Sequence, residues 1–165
     1  MQFDLRKFLY SGQKPYYNAF QADLSGEDFP GYRVEQPVEA VVEVSTDGET
    51  LELSLSVKAV VSGECARCLE PVTQDLDFSR SWTLRSRDLE DPDIELPVTE
   101  EGVLDLHQLV FQEVVMEAPF LLLCAEDCPG LCPVCGKKKV AGCTCQSAED
   151  AAPANGLSIL KTLLQ

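Results

Sequence analysis

The cysteines of this chain come in close pairs, and paired cysteines are where its sequence could do chemistry. Cys65-Ala66-Arg67-Cys68, Cys124 with Cys128, Cys132-Pro133-Val134-Cys135-Gly136 and Cys143-Thr144-Cys145 account for all eight, six of them within residues 124–145. Two thiolates separated by two residues converge on one ion, and Gly136 permits the tight turn beneath the Cys132/Cys135 pair. Cys143-Thr144-Cys145 follows closely enough to close a four-thiolate tetrahedron. Zinc suits such a set, because it is borderline-soft, redox-silent and four-coordinate in structural sites. Four thiolates leave no open position for a water, so the expected site is structural.

Six cysteines are two too many for four ligands. Either Cys124 and Cys128 serve in place of Cys143 and Cys145, or all eight form two sites, with Cys65, Cys68, Cys124 and Cys128 as the second. The bland reading is a set of buried or disulfide-paired thiols, of which the disulfides require an oxidising compartment. The N-terminus, Met1-Gln2-Phe3-Asp4-Leu5-Arg6-Lys7, lacks the order of a secretory signal. A cytoplasmic location and reduced, metal-binding thiols are therefore expected. Cys65 and Cys68 could alternatively form a thiol-redox or zinc-responsive pair. That reading wants a βαβ context and a helix N-terminus to lower a thiol pKa, whereas the flanks here read as strands.

Other chemistry is thin. His107 is the single histidine, and a lone helical histidine is more often a packing residue than a catalyst. No Gly-rich phosphate loop, calcium loop or hydrolase-like carboxylate pair is visible. No catalytic residue, and hence no enzyme, is expected.

The elements that must position the cysteines are mostly strands. Thr50 to Ala59 alternates apolar and polar residues, Val38 to Val44 nearly does, and Asp47-Gly48 between them is a hairpin signal. Val72, Leu76, Phe78, Trp82 and Leu84 share one face of a third strand, which places Cys65 and Cys68 in a strand-to-strand connection. Arg6–Tyr10 and Tyr32–Glu35 read as short edge strands. Residues 88–101, acidic and containing Pro92 and Pro97, read as a surface loop. Asp105 is a candidate N-cap for a helix near 105–118, with Leu106, Leu109, Val110, Glu113 and Val114 on one stripe and Pro119 as its stop. Leu121-Leu122-Leu123 reads as a short strand delivering the chain to Cys124.

The predicted architecture is α+β: an antiparallel β-rich sheet or partly open barrel over residues 1–123 with one main helix, then a zinc-knuckle lobe at 124–146. Residues 147–165 read as a polar linker and a short terminal helix from Leu157 to Leu164.

The 165 residues carry a formal net charge of -15, which excludes coating nucleic acid by bulk charge. No apolar run is long enough for a membrane helix. The acid is concentrated in residues 88–136, which hold twelve acidic and no basic side chains. Lys137-Lys138-Lys139, at the tip of the cysteine cluster, is locally basic.

These motifs together resemble the YceD-like family, bacterial and plastid proteins described as large ribosomal RNA subunit accumulation proteins. The resemblance rests on Cys65-Ala66-Arg67-Cys68-Leu69-Glu70-Pro71 after a long strand, an acidic loop, one helix ending at Pro119, and Cys124-x3-Cys128-Pro129-Gly130-Leu131-Cys132-Pro133-Val134-Cys135-Gly136. It implies a cytoplasmic, non-enzymatic ribosome-assembly factor supporting 23S ribosomal RNA accumulation or processing, without a small-molecule substrate. Two partners are then expected: ribosomal RNA, touched through Arg67, Lys137, Lys138 and Lys139, or a basic large-subunit ribosomal protein held by the acidic segment. The chain departs from the family where Lys137-Lys138-Lys139-Val140 replaces an Asn-Leu-Asn-like turn, and where Asn155-Gly156-Leu157 replaces Asp-Pro-Arg.

Overall fold

A computed structural model describes residues 1–11, 14–91, 94–139, 143 and 145. The linker and terminal helix expected over 147–165, and Pro92, lie outside the described residues.

The scaffold follows from alternation. Strand β4 (Val38–Thr46) and strand β5 (Thr50–Glu64) bury every second residue. Val38, Val42, Val44, Leu51, Leu53, Leu55, Val57 and Val61 are fully sequestered from water. They are joined by the Asp47-Gly48 turn. Asp47 Oδ1 accepts hydrogen bonds from the amides of Glu49 and Thr50, and Gly48 takes φ +94°. Strand β6 (Pro71–Arg85) pairs with the whole length of β5, from Thr50↔Arg85 to Glu64↔Pro71. Strand β2 (Tyr16–Ala22) adds to the other edge of β4, and the two-residue β3 (Tyr32–Arg33) pairs with Ser62 and Gly63 of β5. The result is a curled, five-stranded antiparallel half-barrel. The predicted α+β, partly open barrel is the architecture observed.

Helix α2 (Leu106–Glu117) is the main helix. The Asp105 carboxylate caps it, accepting from the amides of His107 and Gln108. Leu106, Leu109, Val110 and Val114 are its buried stripe, and Ala118 turns extended ahead of Pro119. The His107 ring lies against the loop after β2, with Nε2 3.0 Å from the Asp23 carbonyl oxygen.

Three local expectations are corrected. Arg6–Tyr10 is not an edge strand: residues Leu5–Ser11 form helix α1. The Asp4 carboxylate accepts from the Lys7 amide, and Leu5 and Leu9, four residues apart, enter the core together. The segment 88–101 is more than a surface loop. It contains a 3₁₀ turn (Asp88–Glu90), it buries Leu89 and Leu96, and Val98 bridges Leu104. Leu104 belongs to β7 (Val103–Asp105), which pairs with β1 (Gln2–Asp4). Finally, Leu121–Leu123 forms no strand. Its one sheet-like contact is the Leu122 carbonyl, which accepts from the Ala66 amide at 2.8 Å. Among the described residues, no helix is long and apolar enough to cross a membrane.

Candidate metal centres

Two long strands meet at the connection Cys65–Glu70, and its backbone has a defined shape. The Leu69 amide donates to the Cys65 carbonyl at 2.9 Å, and the Cys65 amide donates to the Glu70 carbonyl at 2.8 Å. Leu69, the residue after the second cysteine, has φ +60°. The segment Cys132–Lys137 repeats this arrangement. There the Gly136 amide donates to the Cys132 carbonyl at 2.8 Å, the Cys132 amide to the Lys137 carbonyl at 2.7 Å, and Gly136 has φ +69°. Both pairs are the same knuckle. In the first a leucine occupies the left-handed position that glycine fills in the second, at a cost of roughly 1–2 kcal/mol.

Each knuckle meets a second pair of cysteines. Helix α2 and the turn at Pro119 return the chain to the first knuckle, where Leu122 locks it by its carbonyl. Gly63 is needed for that approach, because a Cβ there would lie 2.8 Å from Leu122 Cδ1 and 3.1 Å from the Gly31 carbonyl oxygen. Cys124 and Cys128 follow immediately. Cys65, Cys68, Cys124 and Cys128 form the first centre, and Cys132, Cys135, Cys143 and Cys145 form the second. Within each, the four sulfurs lie within 4.8 Å of one another. This is the two-site arrangement of the alternatives the spacing left open.

The donor set fits zinc. The Cys65–Cys128 and Cys68–Cys124 sulfur separations are 3.7 and 3.6 Å. Tetrahedral coordination at a Zn–S distance of ~2.3 Å puts sulfurs about 3.8 Å apart. A disulfide needs ~2.05 Å. Cys65, Cys68, Cys128 and Cys132 are buried, whereas Cys124 and Cys135 are exposed.

The thiols are electrostatically divided. Amides of Cys124, Arg67 and Cys68 hydrogen-bond to the Cys65 sulfur and hold its pKa down to about 6. The amides of Cys135 and Val134 do the same for Cys132, also to about 6. Cys68 receives the Glu70 amide, yet burial and the neighbouring thiols push it up to about 12. Cys145 is pushed up to about 12 by Cys143 and Cys135, and the Cys128 thiol pushes Cys124 up. Thiolates so close repel one another, and a divalent cation at the centroid relieves that repulsion. Each cluster can thus hold one metal ion, with no protein-free coordination position left over.

Of the cationic residues singled out from sequence, two are engaged within the protein. Arg67 Nη1 donates to the carbonyls of Glu126 and Cys128 at 3.0 and 3.1 Å, tying the first knuckle to the Cys124–Cys128 turn. Lys138 forms an ion pair with Glu70. Lys137 and Lys139 are exposed. Glu70 is the residue that sequence reasoning passed over. Its carboxylate reaches both Lys138 and the Cys68 sulfur, 3.8 Å away, and its position after Cys68 was the one available signal.

The model of the family described as "Large ribosomal RNA subunit accumulation protein YceD" matches residues 53–164. The chain belongs to the YceD family. The matched stretch takes in both knuckles and α2. Among curated proteins, an uncharacterized protein of Mycobacterium tuberculosis is 34% identical over 99 residues, 56% of this chain and 47% of its own length. One of Mycobacterium leprae is 30% identical over 110 residues, 63% of this chain and 50% of its own. The chain thus spans about half the length of the curated relatives it matches. No solved structure matches it significantly. The family's name implies a role in accumulation of the large-subunit ribosomal RNA.

Proposed function

We propose that this chain is a non-enzymatic ribosome-assembly factor that supports 23S ribosomal RNA accumulation in the cytoplasm, with structural zinc in both centres. The observation that carries the reading is the pair of closed four-thiol clusters inside a YceD-family chain. A thiol-only, four-donor set leaves a metal no site for water or substrate, so the ion serves to staple. Cys65, Cys68, Cys124 and Cys128 hold one zinc, and Cys132, Cys135, Cys143 and Cys145 the other.

For the partner, charge favours a basic large-subunit ribosomal protein over naked RNA. Of the four candidate RNA contacts, Arg67 and Lys138 are used internally and Lys137 and Lys139 stay exposed, on a chain of net charge -15. Two lysines neutralise few phosphates, and non-specific affinity scales with that number. Redox use of Cys65 and Cys68 is the weaker alternative. Cys65 is fully buried, whereas a reactive thiol needs access to its oxidant.

The test has two arms. Mass spectrometry on protein purified without added metal should find two zinc ions per chain. Cells lacking the protein should show a lowered ratio of 23S to 16S ribosomal RNA, restored by wild type. An unchanged ratio overturns the assembly reading; a metal-free chain with eight free thiols overturns the zinc reading.

A further inference from the structure

The second knuckle does more than present its own ligands. Leu131 bridges Lys138, the Cys132 amide reaches the Lys137 carbonyl, and the Lys139 amide donates to the Gly130 carbonyl at 2.8 Å. This small hairpin carries Lys138 out of the second centre and up to the first. There its ammonium pairs with Glu70 and lies 3.6 Å from the sulfur of Cys124. Cys124 is the exposed ligand of the first centre, and the Cys68 sulfur lies 3.8 Å from the Glu70 carboxylate.

Charge makes this placement consequential. Four thiolates on one divalent cation leave two negative charges in excess, and the Glu70 carboxylate adds a third. Cations and N–H donors beside ligand thiolates lower that excess and tighten the hold on the metal. The Lys138 side chain is 32% exposed, so water screens its field only in part.

We propose that Lys138 is a positioning residue of the first centre, through which the second centre sets how firmly the first retains its metal. The inference rests on the zinc reading above. Filling the second centre holds the hairpin in register, the hairpin delivers the ammonium, and the ammonium offsets the charge at Cys124. By reciprocity, occupancy of the first centre favours the second.

The test uses the full chain loaded with zinc. Chelator competition followed by native mass spectrometry measures retention of each ion, and iodoacetamide with peptide mapping identifies the exposed thiols. Trp82 fluorescence checks that each variant is folded. Lys138→Met should release one of the two ions 10- to 100-fold more readily, the usual effect of losing a residue that supports a metal ligand. Cys124 should then be alkylated first, with Cys132, Cys135, Cys143 and Cys145 still protected. Lys138→Arg should restore retention. Cys145→Ser, which opens the second centre, should loosen the first by a similar factor. Retention within twofold of wild type in Lys138→Met overturns the proposal, as does loss of the second ion instead of the first. A first centre indifferent to Cys145→Ser overturns it too. Failure of the zinc reading itself shows earlier and separately, as a wild-type chain that binds no zinc.

Discussion

The two centres differ in what they hold together, and Cys128→Ser against Cys135→Ser exposes the difference. Cys65 and Cys128 are 63 residues apart, so the first centre closes a loop containing β6, β7 and α2. Treated as a cross-link, closing a loop of that length removes about 4 kcal/mol of chain entropy from the unfolded state. The second centre closes only Cys132 to Cys145, worth roughly 3 kcal/mol by the same relation. Moreover, none of the residues it encloses belongs to the main core among those described. The single tryptophan, Trp82, is half-buried on β6 inside the large loop and reports the core's unfolding. With zinc in excess, Cys128→Ser should lower the fluorescence-detected Tm by roughly 10 °C or more, at about 2–4 °C per kcal/mol for a chain of this size. Cys135→Ser, which only loosens the first centre, should lower that transition clearly less, since a 10- to 100-fold weaker hold on the ion is worth about 1.4–2.7 kcal/mol. Equal losses from both variants, or none from Cys128→Ser, would refute the claim that the first centre staples the fold.

Three further outcomes follow from geometry. Leu69→Gly relieves the left-handed strain while removing a side chain that is 59% exposed; after the entropy glycine adds to the unfolded chain, urea denaturation should show roughly 0.5 kcal/mol of gain. A loss of similar size would mean Leu69 is held by contacts. Gly63→Ala forces Leu122 off the first knuckle and should destabilise by about 1–3 kcal/mol, with faster alkylation of Cys124; wild-type stability and alkylation would refute it. Glu113 is raised above the usual glutamate range by burial, against the pull of Arg80. A raised folded-state value means its contribution to stability is complete below the unfolded value and fades as pH rises through the folded one. Glu113→Gln should therefore match or exceed wild-type stability at pH 7 and lose that advantage as pH falls through the raised folded-state value toward the ordinary glutamate range in denaturant titrations; a variant clearly weaker at pH 7 would show that the Arg80 pair outweighs burial.

What could be read directly from the residues was local and periodic. The alternation in β4 and β5, the Asp47-Gly48 turn and the Asp105 cap are each specified within a few residues, and each is in place. Helix α1 escaped because seven residues hold only two core positions, Leu5 and Leu9, a pattern that short strands also satisfy. The partition of the cysteines escaped for a different reason. It depends on Leu122 arriving at Ala66, a contact between residues 56 apart whose specificity lies in the shape of Gly63. The kinship of the two knuckles was hidden by Leu69, since the glycine that signals a left-handed turn is absent from the first. The pairing of Lys138 with Glu70 spans 68 residues and has no local signature at all.

The packing of the acidic segment against the core changes how the acidity of the chain bears on its partner. Acidic runs are often solvated tails, whose carboxylates must be ordered when a partner binds. Here the acidic segment is pinned. Leu89 and Leu96 enter the core, the Thr99 amide donates to the Val103 carbonyl, and Val98 bridges Leu104. Exposed Glu90, Glu95, Glu100 and Glu101 therefore project from ordered backbone. A basic partner meets a surface whose conformational entropy is already spent, which favours affinity. Because the attraction is between exposed charges, it weakens with salt over a Debye length of ~8 Å at physiological ionic strength. We therefore expect charge-neutralising substitutions across Glu90, Glu95, Glu100 and Glu101 to abolish capture of a basic large-subunit protein in low-salt binding assays. The zinc content should stay unchanged, since none of these carboxylates belongs to either four-cysteine cluster. Capture that survives the substitutions would move the partner surface to the knuckles, where Lys137 and Lys139 make RNA the better candidate.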